Sequence, residues 1–395
     1  MRTTLSLLAC LILAGHVCAE EKPNTLTPKE IEEGWILLFD GETTFGWKID
    51  GESKVADGVL ILGGSKETNA VATTAFCNCV IRFDADLDKA KSAELIFNDY
   101  TGPFFNAAPP GTKGWCEYHG QILPGDISVW ARGSKGFYAG RTGPQTTLGF
   151  RVPAGRKLLL RSIGVWPCEP GATGAALIAG PLPPIFNGKD LSGWKEHPDK
   201  KSKFSVTPEG WLHMKDGPGD LQTEALYDDF ILQLECKTNG KQLNSGVFFR
   251  CRPSEYQQGY EAQIHNGFDP DKPKEYIVEE YDPKTYELKD KKKVKSPAID
   301  YGTGGIYRRV PARKQTAKDG EWFTMTVIAQ GRHIAIWVNG IQQVDWTDSR
   351  PLKDNARNGC RLEKGAISLQ GHDPTTDLYF RNIRIVELPK AAEKK

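Results

Sequence analysis

No charge of one sign predominates in this chain of 395 residues: 51 Lys and Arg stand against 50 Asp and Glu, a formal net charge of +1. Such a balance sets up no global field to recruit nucleic acid or an acidic membrane surface, so no nucleic-acid partner is expected. Long apolar runs are missing beyond the N-terminus, and no later segment approaches the roughly 20 residues a membrane-spanning helix needs. No CxxC pair suggests a zinc knuckle. The one basic run, Lys289 to Lys295, lies beside Glu279, Glu280 and Asp282 and reads as a solvated loop.

What is abundant is turn and ring: 41 Gly, 25 Pro, 10 Trp and 12 Tyr. Arg2 precedes an apolar core from Leu5 to Ala14, with Val17 and Ala19 at the positions a signal peptidase reads. Cleavage after Ala19 and a secreted or periplasmic protein are the expectation. Cys10 and Cys18 would leave with that segment, and of the 9 cysteines an odd number then remains, so at least one thiol is free. Cys236 and Cys251, on strands that read as neighbours, are one candidate pair.

Thr27-Pro28-Lys29-Glu30 is a capping box with proline at the first helical position, predicting a short helix before Trp35. Thereafter the pattern is strand after strand: Trp35 to Phe39, Val59 to Leu62, Val80 to Ala85, Glu94 to Asn98, Phe230 to Lys237, Gly246 to Cys251, Phe323 to Ala329 and His333 to Val338. Short alternating or β-branched runs parted by Gly, Asp, Asn and Pro read as all-β sandwiches or jelly rolls.

The sequence also repeats itself. LLFDGETTFGW at Leu37 to Trp47 recurs as PIFNGKDLSGW at Pro184 to Trp194, and KLLLRSIGVW closes the first stretch much as LYFRNIRIVEL closes the second. The expected organisation is a signal peptide over 1–19, a β-sandwich copy over 34–168, a linker over 169–181, a second sandwich over 182–388 and a polar tail over 389–395. Contact between the copies is expected.

Four motifs distinguish the second copy: NSGVFFR at Asn244 to Arg250, GYEAQIHN at Gly259 to Asn266, WVNG at Trp337 to Gly340 and GAISLQGH at Gly365 to His372. With FNGKDLSGW, TGGIYRR at Thr303 to Arg309, GEWFTMTV and FRNIRI, they resemble in order and spacing the 3-keto-disaccharide hydrolase domain family. The resemblance implies a concanavalin A-like jelly-roll fold with sugars bound on the concave sheet, and tandem sandwiches of which the first is degenerate. It places Arg250, Glu261, Gln263 and His372 around one cleft. In the first copy, WCEYHGQILPG is the corresponding stretch, with Glu117 matched to Glu261.

The residues agree on their own terms. In GYEAQIHN, Glu261, Gln263 and His265 alternate with Tyr260, Ala262 and Ile264, so three polar side chains leave one face of one strand. Glu, Gln and His suit sugar hydroxyls and proton transfer. Asn244, Tyr260, Tyr307 and Gln370 are further candidates for binding substrate, as is the ring of Tyr256.

The activity implied by the resemblance is cleavage of a glycoside oxidised at C3. The ketone acidifies the C2 proton, and its removal expels the aglycone from C1; water then completes a net hydrolysis. Such a site needs a base, an enolate stabiliser and a donor for the leaving oxygen. Glu261 or His372 serves as base, Arg250 or a divalent cation as stabiliser, and Gln263 as orienting partner. No cofactor is required by the sequence; Glu261, His265 and His372 are the candidates to hold a metal.

Two alternatives stay open. One is a lectin-like glycan binder without catalysis. The other is an ordinary glucanase, although its Glu-x-Asp-x-x-Glu strand motif is absent; it needs a second carboxylate opposite Glu261, for which Glu235, Glu279 and Asp345 are the candidates.

Overall fold

The computed structural model describes residues 22–86, 93–98, 100–103, 113–123, 126–131, 138–140, 145–168 and 181–389. The expected signal peptide, nearly all of the linker and most of the tail lie outside these residues. The architecture is almost entirely β, with antiparallel sheets. The capping-box helix is there: Pro28–Glu33, with Thr27 accepting from Glu30 N and Gly34 closing the helix in the left-handed conformation at φ 94°.

Four large sheets form two pairs. Sheet I runs in the order Tyr138–Gly140, Asp126–Ala131, Trp115–Leu123, Cys79–Asp86, Leu158–Pro167, Val59–Leu62 and Ser53–Ala56, with Ile36–Leu37 also paired to Leu158–Pro167. Sheet II runs Trp47–Asp50, Thr68–Ala72, Leu148–Val152, Glu94–Phe97, Tyr100–Pro103. Sheet III runs Lys203–Val206, Leu212–Lys215, Asp377–Glu387, Phe230–Thr238, Phe323–Gln330, His333–Val338, Ile341–Thr347. Sheet IV runs Trp194–Glu196, Gly219–Thr223, Ala366–Gly371, Ser245–Cys251, Tyr260–Ile264. Sheets II and IV follow the same order in chain sequence: first, second, last, third, fourth.

Alternation builds these strands. In Cys79–Asp86 every second residue, Cys79, Ile81, Phe83 and Ala85, is buried between sheets I and II, while Val80, Arg82, Asp84 and Asp86 point away. A second apolar cluster, including Leu221, Leu232, Val247, Phe249, Ala262, Val327 and Ile336, fills the space between sheets III and IV. The two repeated turns share their hydrogen bonds: Trp47 Nε1 donates to Leu38 O, as Trp194 Nε1 donates to Ile185 O.

The outward face of sheet III is not free. Ile231, Ile328, Ala335 and Trp337 belong to the same apolar cluster as Ile36 and Leu38. Trp337 Nε1 donates to Leu37 O at 2.9 Å, and Gln233 Nε2 donates to Gly34 O at 2.8 Å.

Several expectations change. The basic run is not a loop: Lys274–Tyr281 and Leu288–Ser296 form a projecting hairpin in which Lys291, Lys292 and Lys293 pair with Glu279, Glu280 and Glu275, so alternating charge stabilises it across the strands. Cys236 and Cys251 do not pair, because they lie in different sheets; Cys77, Cys79, Cys116, Cys168, Cys236, Cys251 and Cys360 are all buried free thiols. Nor does Glu117 match Glu261. Its strand, Trp115–Leu123, lies inside sheet I, whereas the strand of sheet II in the place of Tyr260–Ile264 is Tyr100–Pro103.

Candidate active site

Sheet IV has one apolar face in the core and one polar face, yet both are buried. All five residues of Gly219–Thr223 and of Tyr260–Ile264 are buried, and so are all six of Ala366–Gly371. Register aligns the polar face into rows. Gln222 stands opposite Ser368, Ser368 opposite Phe248, and Phe248 opposite Glu261. In the next row Asp220 stands opposite Gln370, and Gly246 opposite Gln263.

Loops bury this face. Along the outer edge of Tyr260–Ile264, the segment carrying TGGIYRR supplies the partners a free strand edge lacks: Gly304 N donates to Gln263 O, Gln263 N to Gly305 O, and Tyr307 N to Glu261 O. Glycine is needed there, since Gly304 has φ 87° and a Cβ would come within 2.6 Å of Val338. A second loop brings Arg357, whose Nη2 lies 3.3 Å from Glu261 Oε2 while its Nε donates to Gln257 O.

Glu261 therefore sits in a pocket with Tyr307, Arg308, Ile306, Ala356 and Arg357. Its side chain is 6 % exposed, and burial pushes the carboxyl up to about 7; Arg357 and Arg308 act against this and Asp300 adds to it. Room for that carboxylate comes from Gly246, where a Cβ would stand 2.8 Å from Oε1. A carboxyl titrating near neutrality is suited both to taking a proton and to returning it.

Gln263 is fixed beside it, its Nε2 donating to Asp300 O at 2.8 Å and to Asp300 Oδ2 at 3.1 Å, where Asn244 Nδ2 also donates at 2.7 Å. Asp220 Oδ2 accepts from Gln222 Nε2 and Ser368 Oγ, and burial raises the Asp220 carboxyl above its ordinary value. Three buried acceptors on this face, Asp220 Oδ1, Gln370 Oε1 and Asn244 Oδ1, have no hydrogen-bond partner among the described residues. Buried acceptors of this kind call for donors such as hydroxyl groups. Tyr256 lies within electrostatic reach of Asp220 and Glu261, its phenol pushed up to about 12 by burial, with those two carboxylates adding to the effect.

Of the residues expected in the site, Glu261, Gln263, Asn244 and Gln370 lie on the polar face and Tyr307 in the pocket wall. Arg250 does not. It is fully buried, and its guanidinium is held away from the polar face by bonds to Asp228 O, Gly331 O, Arg361 O and Asp229 Oδ1. Tyr260 points the other way, stacked on Phe249 at 5.3 Å with its hydroxyl on Asp348, as alternation with Glu261 requires. His372 lies at the end of its strand, 41 % exposed and paired with Asp373, outside the Glu261 pocket. His265 is buried with Nδ1 accepting from Gly267 N, and burial lowers its pKa.

The candidate metal trio is not assembled; among the described residues no group of three His, Cys, Asp or Glu is placed to hold an ion. The candidate second carboxylates all have partners of their own. Glu235 is bound by Arg381, Asp345 by His333, and Glu279 by Lys291. Asp220 shares the face three strand spacings away, about 14 Å between backbones.

Sequence reasoning missed Arg357, Asp220, Gln222 and Ser368. The last three alternate with Leu221, Ile367 and Leu369, a period-two signal present in GDLQT and AISLQG. Arg357 comes from a loop about a hundred residues beyond Glu261, and no local pattern marks it.

Residues 182–386 match the profile of the 3-keto-alpha-glucoside-1,2-lyase-like domain. No curated protein matches the chain. Among solved structures, a provisionally assigned glycosyl hydrolase from Parabacteroides distasonis is 22% identical, covering 52% of this chain and 93% of its own, with a TM-score of 0.38. Another from the same organism is 24% identical over 49% of this chain and 99% of its own, with a TM-score of 0.33. A carbohydrate-binding module from Bacillus subtilis is 14% identical over 50% of this chain and 96% of its own, with a TM-score of 0.32.

Proposed function

The chain belongs to the 3-keto-alpha-glucoside-1,2-lyase-like domain family, and on that premise we propose that the pocket around Glu261 cleaves glycosides already oxidised at C3. The observation that carries this reading is a carboxyl buried beside a guanidinium and lifted to about 7. Ionised Glu261 removes the proton from C2. Arg357, 3.3 Å away, stabilises the enolate oxygen as it forms. The electron pair then closes the C1–C2 double bond, the C1–oxygen bond breaks, and the proton held by Glu261 passes to the departing oxygen. Water adding to C1 of the enone makes the net reaction a hydrolysis; release of the enone makes it a lyase.

The sugar lies across the rows of sheet IV in this reading, its hydroxyls donating to Asp220, Gln370 and Asn244, with Gln263 orienting the ring and Tyr256 covering it. His265 and His372 stand outside the proton path, and any divalent cation would be an addition to be tested by chelation. The rest of the chain fits an exported protein of two duplicated concanavalin A-like sandwiches, 34–168 and 182–388, the first docked on the back of the second. The shared strand order and the matched tryptophan turns support the duplication. Among the described residues no helix is long and apolar enough to cross a membrane.

Incubation with a 3-keto-glucoside, followed by the enone absorbance and the freed alcohol, tests the assignment. Release by the native protein and its loss in Glu261→Gln is the expected outcome; equal release by both sinks the role of Glu261. A non-catalytic glycan binder is the second reading, favoured by the three unpartnered acceptors. Tight binding of an unoxidised sugar with no turnover of the keto sugar would establish it.

A further inference from the structure

A second hollow adjoins the Glu261 pocket, and Arg308 and Arg309 line both. It is the roomier of the two. Its other walls are of two kinds. Tyr301, Trp346 and Ile277 are aromatic or apolar, and Ile277 is 42% exposed, an apolar side chain left uncovered at the rim. The charged groups are uneven: Arg350 is consumed by Asp348 at 2.8 Å, and Glu279 by Lys291 at 3.2 Å and by the Tyr281 hydroxyl at 3.0 Å. Arg309 turns its Nη2 to Arg357 O.

Arg308 is different. It is exposed, lies with its guanidinium 5.3 Å from the Tyr307 ring, and makes no ion pair among the described residues. Its backbone is left-handed at φ 61°, a conformation that a long side chain seldom adopts, and it brings the guanidinium to the boundary of the two hollows. An exposed cation with no ion pair among the described residues, at the edge of a hollow lined by Tyr301 and Trp346, fits a flat ring carrying a carboxylate.

We infer that this second hollow seats the leaving group and selects aglycones that are aromatic and anionic, with Arg308 as the residue that reads the charge. This rests on the reading of Glu261 given above: the sugar occupies the Glu261 side, and the bond that breaks lies at the boundary. Tyr301 and Trp346 offer faces to the ring, and Arg308 a bidentate donor to its carboxylate.

The test uses the full chain and two isosteric pairs of ligands. Turnover is measured on the 3-keto-glucosides of 4-hydroxybenzoate and of 4-hydroxybenzamide, and equilibrium binding by calorimetry on the corresponding unoxidised glucosides. The expected result is a preference for the carboxylate of about tenfold in both kcat/KM and Kd, shrinking as salt is raised. Arg308→Gln brings the ratio near one whatever happens to the absolute rate, and Arg308→Lys keeps part of it. A ratio near one in the native protein, or one unmoved by Arg308→Gln, overturns the inference while turnover upholds the chemistry. Charge-selective binding without turnover overturns the chemistry and upholds the inference; neither binding nor turnover overturns both.

Discussion

Between pH 4.5, where an ordinary glutamate titrates, and about 7, Glu261 keeps in the folded chain a proton that the unfolded chain has released. Stability from this group is therefore full below 4.5 and is lost as pH rises through about 7. Glu261→Gln should then stabilise the protein above pH 8 by up to about 3 kcal/mol and leave it unchanged near pH 4, as urea unfolding at the two pH values will show. The same variant should lose about a thousandfold or more in kcat. Activity of the native protein should rise with pH through about 7, since the base must be ionised. Arg357 favours the ionised form, so Arg357→Ala should move that limb to higher pH as well as lower the rate; a limb that stays put would falsify the pairing. Glu261 and Gln263 were legible from alternation together with the chemistry of their side chains. Tyr260 was equally legible as a core residue by the parity of its strand, against its reading as a ring for sugar to stack on. Arg357 was not legible, because its place depends on how a distant loop folds over the sheet.

Strands and their irregularities account for a further misplaced residue. Arg250 sits where the ladder between Ser245–Cys251 and Ala366–Gly371 shifts register, with φ 49°. The bulge turns its side chain out of the row that holds Phe248 and into a cage of carbonyls. Sequence cannot announce such a bulge, so an arginine at a strand end reads as facing the cleft. Arg250→Ala should cost about 3 to 5 kcal/mol by stranding Asp229 and three carbonyls, while kcat per folded molecule stays close to native. A glycine shows the opposite behaviour. Gly246→Ala should leave the melting temperature nearly unchanged if Glu261 swings aside, and lower kcat at least tenfold because the displaced carboxylate no longer reaches its proton. Thermal melts alongside kinetics separate the two cases.

Across the whole molecule, Trp337 joins segments that lie far apart in the chain. It is 1% exposed, and its indole reaches the carbonyl of Leu37, 300 residues earlier. Trp337→Ala should cost about 3 to 5 kcal/mol and, in calorimetry, split one unfolding transition into two. The matching turns that end at Trp47 and Trp194 were visible in the sequence. What lies between them was not, because short motifs such as WCEYHGQ align by letters where the sheets correspond by strand order. The seven buried thiols carry a last consequence. No cross-link joins the described residues, so the native fold should be obtained equally well from reducing cytosol and from an oxidising compartment. Once heat exposes those sulfurs together in air, they join at random, and denaturation becomes a one-way process. A sample heated with a thiol reductant should regain activity on cooling, whereas one heated without it should precipitate.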